Sequence, residues 1–390
     1  MAELRLPGDG AAGALRFATA AEVDRWNESV EALPGGGEVW QSREYAELKR
    51  YQRYTPRYIV DAVPDGEPGE GGGADRFPPT LVLEKRIPLL GRFWYAPAGP
   101  DVSIDAAGTP MSVEAFIARG ARLARFARAQ GAFLLKVEPR ILRSDAAFAA
   151  LRAAGYVPTA HVLPNESTIV LDIAGDEEAI MRGFSASTRT KIRKADKEGF
   201  DVRRVEASEE NCRTMFELLS GTAEGAFELR PYGYFREFWQ GFQRAGCGQL
   251  VLGYDTRAGE AGAGDGGVPV AGMFATAFGR TSGYKDGASA KSRLPTGAMY
   301  RMQLELIRWG KEQGATRHDL VGTPPSDRLD DPAHRLHGVG QYKLRLSKDV
   351  IDYVGALDLP LRPGRVRLWN ALVEKLARHW TLATRKDVFY

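Results

Sequence analysis

Cysteine is almost missing from this 390-residue chain: there are two, Cys212 and Cys247, without paired spacing, and the five histidines are scattered. Disulfide frameworks and structural zinc sites both need clustered ligands, so neither organises this fold, and a reducing compartment is expected. Long apolar runs are missing too. No stretch approaches the roughly 18 uninterrupted apolar residues of a spanning helix. The opening Met1-Ala2-Glu3-Leu4-Arg5 passes into Pro and Gly without the apolar core of a signal peptide, so a cytoplasmic location is expected, with peripheral contact at the inner membrane face still open. A large charge excess is also lacking: 53 Lys and Arg oppose 50 Asp and Glu, a net of +3, so any polyanion must be met by a local patch.

What is present is a chain that can build cores. Hydrophobic residues make up 44% and charged residues 26%, which excludes wholesale disorder. At about 150 residues per domain the length points to two domains with an appendage. The Gly-rich insertions Pro64 to Pro79 and Gly259 to Gly267 each separate two strand-like segments and read as lengthened hairpin loops. Neither supplies the strand, tight glycine turn and lysine-bearing helix of a phosphate cradle.

Helical spacing of Val113, Phe116, Ile117, Leu123, Ala124 and Ala127 predicts a helix ending near Gly131, followed by the strand Phe133–Val137. Met299, Met302, Leu306 and Trp309 predict a second helix, followed by Gly314 and the strand His318–Val321. Gln130-Gly131-Ala132 and Gln313-Gly314-Ala315 fall at the same place after each helix, which favours two similar α/β domains over one large one. The expected division is 1–165 completed by a returning segment 355–390, and 166–354. In that tail Val366, Trp369, Leu372, Val373, Leu376 and Trp380 form an apolar stripe expected to pack on the body.

Two segments are basic. Arg182 to Arg204 carries eight Lys or Arg against three acids, and Arg362 to Tyr390 carries seven against two. Either run is a solvated helix face or a contact for phosphates of a nucleotide or RNA. Arg230 and Tyr234 lie in an aromatic-rich stretch; a guanidinium grips phosphate in two-pronged fashion and a phenol orients a reacting group. Ser282-Gly283-Tyr284 follows a strand and suits a cleft wall. His318 and Asp319, adjacent on a strand, point to opposite faces and make no acid–base pair. No Ser-His-Asp or Cys-His nucleophile arrangement is defensible. Lys343 offers a fixed charge for a developing oxyanion, or is an ordinary surface lysine.

These pieces occur in a familiar order: Gln41-Ser42 through Lys49, Leu135 to Pro139, Phe184 through Gly199, Arg230 with Tyr234, Ser282-Gly283-Tyr284, His318 to Gly322, Tyr342-Lys343, and Tyr353-Val354-Gly355 leading to Leu359-Pro360-Leu361. The chain thereby resembles the Fem family (FemABX) of tRNA-dependent aminoacyltransferases, which build peptidoglycan interpeptide bridges. The resemblance implies an α/β fold of tandem acetyltransferase-like (GNAT) domains, with aminoacyl-tRNA as donor and UDP-MurNAc-pentapeptide or lipid II as acceptor, working as a monomer without a cofactor or metal. It implies that Lys49, Arg230 and Tyr284 bind the precursor, Lys343 and Tyr234 serve catalysis, and Arg189, Arg193 and Lys194 meet the tRNA. Family members commonly have Phe where this chain has Tyr342, a Phe-Gly-Gly type segment where it has Leu344-Arg345-Leu346, and Asp-Phe-x-Gly where it has Asp319-Leu320-Val321-Gly322. These departures leave room for a peptide-like acceptor in antibiotic biosynthesis. An acyl-CoA-dependent GNAT enzyme is the main rival, although no Gly-rich strand-to-helix turn for the CoA pyrophosphate stands out, His337-Gly338-Val339-Gly340 having no helix signal after it. An RNA-binding scaffold is the non-enzymatic alternative.

Overall fold

The computed structural model describes residues 14–62, 76–101, 112–163, 166–223, 229–256, 267–290 and 294–390. Most of the two Gly-rich insertions, 64–79 and 259–267, lies outside the described residues. The chain divides into two compact units, Met1–Glu166 with Asp352–Tyr390, and Ser167–Ile351.

The first unit contains β1 (Leu15–Phe17), β2 (Thr55–Asp61), β3 (Thr80–Ile87), β4 (Gly91–Ala96), β5 (Ala132–Val137) and β6 (Val157–Pro158). The second contains β7 (Ser167–Asp172), β8 (Phe200–Val205), β9 (Gly248–Asp255), β10 (Val268–Phe278), β11 (Thr281–Ser289), β12 (Arg317–Asp319) and β13 (Val350–Asp352), after which β14 (Leu357–Pro360) returns to the first sheet. The strand orders are β1-β2-β3-β4-β5-β14-β6 and β13-β7-β12-β11-β10-β9-β8. In each sheet a three-stranded antiparallel run, β2-β3-β4 or β9-β10-β11, meets a parallel neighbour, β5 or β12, which in turn pairs antiparallel with β14 or β7. A parallel pair needs a crossover, and each has a helix there, Val113–Ala129 or Ala298–Glu312. The same order of pairing in both units is that of tandem GNAT-like domains.

The duplicated tripeptide has a shared geometry. Gln130 and Gln313 are the C-caps of the two crossover helices, and Gly131 and Gly314 follow with φ of 82° and 85°. Left-handed φ is inexpensive for glycine, so both helices stop there and release a strand. Phe116, Leu123, Ala124 and Ala127 are fully buried against Trp94, Leu135 and Leu357, the face read from the helical spacing. In the second unit Met302, Leu306 and Trp309 pack against Val251, Met273 and Ala275.

Three expectations need correction. The strand expected over His318–Val321 stops at Asp319, because Val321 and Gly322 take φ of 52° and 67° and leave the extended conformation. A helix, His337–Lys343, forms where no helix is expected from the residues after His337-Gly338-Val339-Gly340. Two glycines make it poor by propensity, and it is held by packing: a Cβ at Gly340 would sit 2.5 Å from Pro324 Cδ. The tail is docked only in part. Trp369 is 1% exposed and contacts Phe93, Phe133 and Phe389, whereas Trp380 is 58% exposed.

Candidate active site

In the second unit β11 and β12 pair only as far as Gly283 and Asp319, although β11 runs on to Ser289. Past that point the chain after β12 stays with β7, through Leu320 N to Ile169 O (2.9 Å) and Thr323 N to Ser167 O (2.8 Å). The carbonyls of Val321 and Gly322 lie beyond the last β11 pair and are taken by Lys343, which donates to both, at 2.6 Å for Gly322. Lys343 ends the helix His337–Lys343 and is 3% exposed. An ammonium has three donors, so one remains after these bonds.

Burial moves the Lys343 ammonium down from its ordinary value to about 8, while the charge of Asp319 pulls the other way. Desolvation wins because the two carbonyls offer dipoles and no full negative charge. Asp319 is engaged elsewhere: it accepts from the Thr168 hydroxyl and from Val321 N at 2.7 Å. That second bond is an Asx turn, and it holds Val321 in the left-handed region that β-branched residues avoid.

The Lys343 ammonium is 5.6 Å from the centroid of Tyr284 on β11. The β10–β11 register shifts between Phe274 and Ala275, whose partners are Asp286 and Tyr284, so Lys285 is the extra residue of a bulge. The Tyr284 hydroxyl lies over Gly287, where a Cβ would approach to 1.7 Å. Burial pushes the Tyr284 phenol well up, so it stays protonated.

Behind the lysine runs a polar chain. Tyr342 stacks on Tyr300 at 4.8 Å and donates to Met299 O at 3.1 Å and Gln303 Oε1 at 3.4 Å. Gln303 Nε2 donates to His318 Nε2 at 2.6 Å, so the proton of His318 sits on Nδ1 and goes to Ser282 Oγ at 2.7 Å. Burial holds His318 down at about 3, a neutral ring that positions its neighbours. The hydroxyl that distinguishes Tyr342 from Phe is thus tied to the helix carrying Gln303.

The other expected residues lie in three places. Arg230 is half-buried with its guanidinium 4.5 Å from the Tyr234 ring, and Tyr234 is buried in the first turn of the helix Tyr232–Arg244. That helix packs on the sheet through Phe238 on Phe274 (5.6 Å) and Trp239 Nε1 to Asp286 (3.0 Å). Lys49 belongs to the first unit, 2% exposed, bonded to Gln52 Oε1 at 2.7 Å and 5.3 Å from the Tyr45 ring. Gln52 in turn donates to Tyr390 O at 3.0 Å. Arg189, Arg193 and Lys194 lie on the helix Ala186–Lys197. Arg189 caps the preceding turn through Phe184 O at 2.5 Å, Lys194 pairs with Glu198 at 3.4 Å, and Arg193 is exposed.

Sequence reasoning missed Thr168, the structural part of Asp319, and Val321. An Asp two residues before the bonded N–H is a readable turn signal; the left-handed Val is not, since nothing local favours it. Among the described residues no group of three His, Cys, Asp or Glu is placed to hold a metal.

Residues 156–250, which include Arg189, Arg193, Lys194, Arg230 and Tyr234, match the FemAB family. No curated protein matches the sequence. Among solved structures the chain is similar to FemX, with TM-score 0.70 and 19% identity, covering 92% of this chain and 99% of FemX. It also aligns with L-PGS from Bacillus licheniformis (TM-score 0.49, 13% identity, 93% and 98% covered). A tandem GNAT protein from the clavulanic acid biosynthesis pathway aligns at TM-score 0.45 and 11% identity, with 89% and 98% covered. The family match covers residues 156–250, and along the rest of the chain the likeness to FemX is one of fold.

Proposed function

We propose that the protein is an aminoacyltransferase that moves an amino acid from aminoacyl-tRNA to an amine of a peptidoglycan precursor, UDP-MurNAc-pentapeptide or lipid II. The observation that carries this reading is Lys343 in a Fem-type fold: a buried ammonium held by two carbonyls, with one donor to spare. The acceptor nitrogen, in its neutral form, attacks the ester carbon, and the carbonyl oxygen becomes an oxyanion. Lys343 donates its remaining N–H to that oxygen. Collapse re-forms the C=O bond and breaks the C–O bond to the ribose; the proton lost by the acceptor nitrogen ends on the departing ribose oxygen. The ester is already activated, and holding two large substrates in register supplies much of the rest.

In this reading Arg230 takes precursor phosphate and Tyr234 backs it with its ring, a positioning part in place of the catalytic one expected from sequence. Tyr284 lines the cleft beside Lys343. Lys49 keeps the precursor contact that the resemblance implies for it, and Arg193 and Lys194, with Arg189 fixing the turn before them, meet the tRNA backbone.

The test combines purified protein, charged total tRNA with each radiolabelled amino acid in turn, and either the soluble precursor or an extract of small-molecule acceptors. Ribonuclease-sensitive label on the precursor is the expected result. Label only on an extract component would move the acceptor to a peptide-like natural product, and turnover with acetyl-CoA alone would overturn tRNA dependence.

A further inference from the structure

The last helical segment is continuous from Pro363 to Arg385, with a wider π turn at Trp369–Val373. Its inner row, Val366 and Trp369, is buried in the first unit. One row over, Leu368, Leu372, Leu376 and Trp380 recur every fourth residue, and all four are between 48% and 58% exposed. In an α-helix a four-residue repeat drifts by about 40° per step. The π turn holds more residues per turn and takes back part of that drift, keeping the four side chains in one stripe.

Beside this stripe, one residue earlier in each turn, lie Arg367, Lys375 and His379, all exposed. Arg367 and Lys375 have no ion-pair partner among the described residues. From Pro363 to Lys386 the chain has six Lys or Arg (Arg365, Arg367, Lys375, Arg378, Arg385, Lys386) and one acid, Glu374. A row of leucines ending in tryptophan, edged by cations, fits a surface that is apolar beneath and negatively charged on top. Apolar side chains reach the acyl boundary, the indole takes the headgroup level, and the cations meet lipid phosphates. Among the described residues no helix is long and apolar enough to cross a membrane, so this helix would lie in the interface.

We infer that the exposed face of the helix Pro363–Arg385 docks the protein on an anionic lipid surface. The docking is separate from the transfer chemistry and stands or falls without it.

The experiment is co-sedimentation of the full chain with vesicles of phosphatidylcholine alone and of phosphatidylcholine and phosphatidylglycerol in equal parts, at low and high salt. Binding to the anionic vesicles, weak binding to the neutral ones, and release by salt are expected. Leu372→Ser with Leu376→Ser should abolish binding while the circular dichroism spectrum and melting temperature stay as in the wild type, since both side chains are exposed. Arg367→Gln and Lys375→Gln should each lower the partition coefficient about fivefold. No binding by the wild type, equal binding to both vesicle types, or binding unchanged in the double serine variant would overturn the inference. So would self-association in the absence of lipid that the same double variant abolishes, which would assign the stripe to a second copy of the chain.

Discussion

The ammonium of Lys343 lies 2.6 Å from the carbonyl oxygen of Gly322 and makes no ion pair among the described residues, Asp319 acting on it only from a distance. A lysine held by dipoles keeps its charge available to an oxyanion, while one locked to an Asp would already be neutralised. Burial has brought its proton affinity down to about 8, close to working pH.

If the charge is what the reaction uses, turnover of the wild type falls as pH rises through about 8, because the ammonium is then lost. Lys343→Met should lower kcat by about 100-fold or more with little change in precursor affinity. Lys343→Arg, charged at every accessible pH, should keep partial activity without the fall near 8. A pH–rate profile of the three proteins decides; a fall that persists in the arginine variant assigns it to another group.

The same lysine sets a stability effect of opposite sense to the usual one. Its folded-state value is below its unfolded value of 10.5, so the charged form prefers the unfolded chain. The cost is full below about 8 and shrinks as pH rises toward 10.5. The stability of wild type relative to Lys343→Met should therefore improve between these limits, read as the difference in urea midpoints at the two ends.

Gly340→Ala keeps every functional group yet should impair catalysis. The added methyl would meet Pro324 at 2.5 Å and push away the helix that ends in Lys343. A lower kcat with precursor affinity preserved is expected, and unchanged kcat would mean that the helix shifts without moving Nζ.

Arg230→Ala should weaken precursor binding about tenfold or more, Arg230→Lys only partly restoring it because a point charge does not replace the fork. Tyr234→Leu should act in the same direction but less strongly, by freeing the guanidinium from its ring. Isothermal titration with the precursor separates these; loss of kcat at unchanged affinity in Tyr234→Phe would restore a catalytic phenol.

The two tail tryptophans should differ sharply. Trp369→Ala removes a ring packed on Phe93 and Phe133 and should cost about 3–5 kcal/mol, whereas Trp380→Ala should change stability by less than about 0.5 kcal/mol. Equilibrium unfolding of both variants measures the contrast.

Periodicity and turn chemistry were enough to read the two crossover helices and the glycines that end them, because those signals are local: apolar spacing on one face and a backbone position that favours Gly131 or Gly314. The ordered set of short motifs likewise made the Fem resemblance legible. What local sequence could not supply was set by long-range packing. The left-handed Val321 is imposed by Asp319, a glycine-bearing helix exists because Gly340 fits against Pro324, and Lys343 is a site only because that helix brings it to carbonyls 21 and 22 residues earlier in the chain. The apolar stripe of the tail was visible as a pattern, but only the fold decided that Trp369 turns inward and Trp380 outward. A helical repeat fixes which side chains share a face; which face finds a partner depends on what the rest of the chain brings against it.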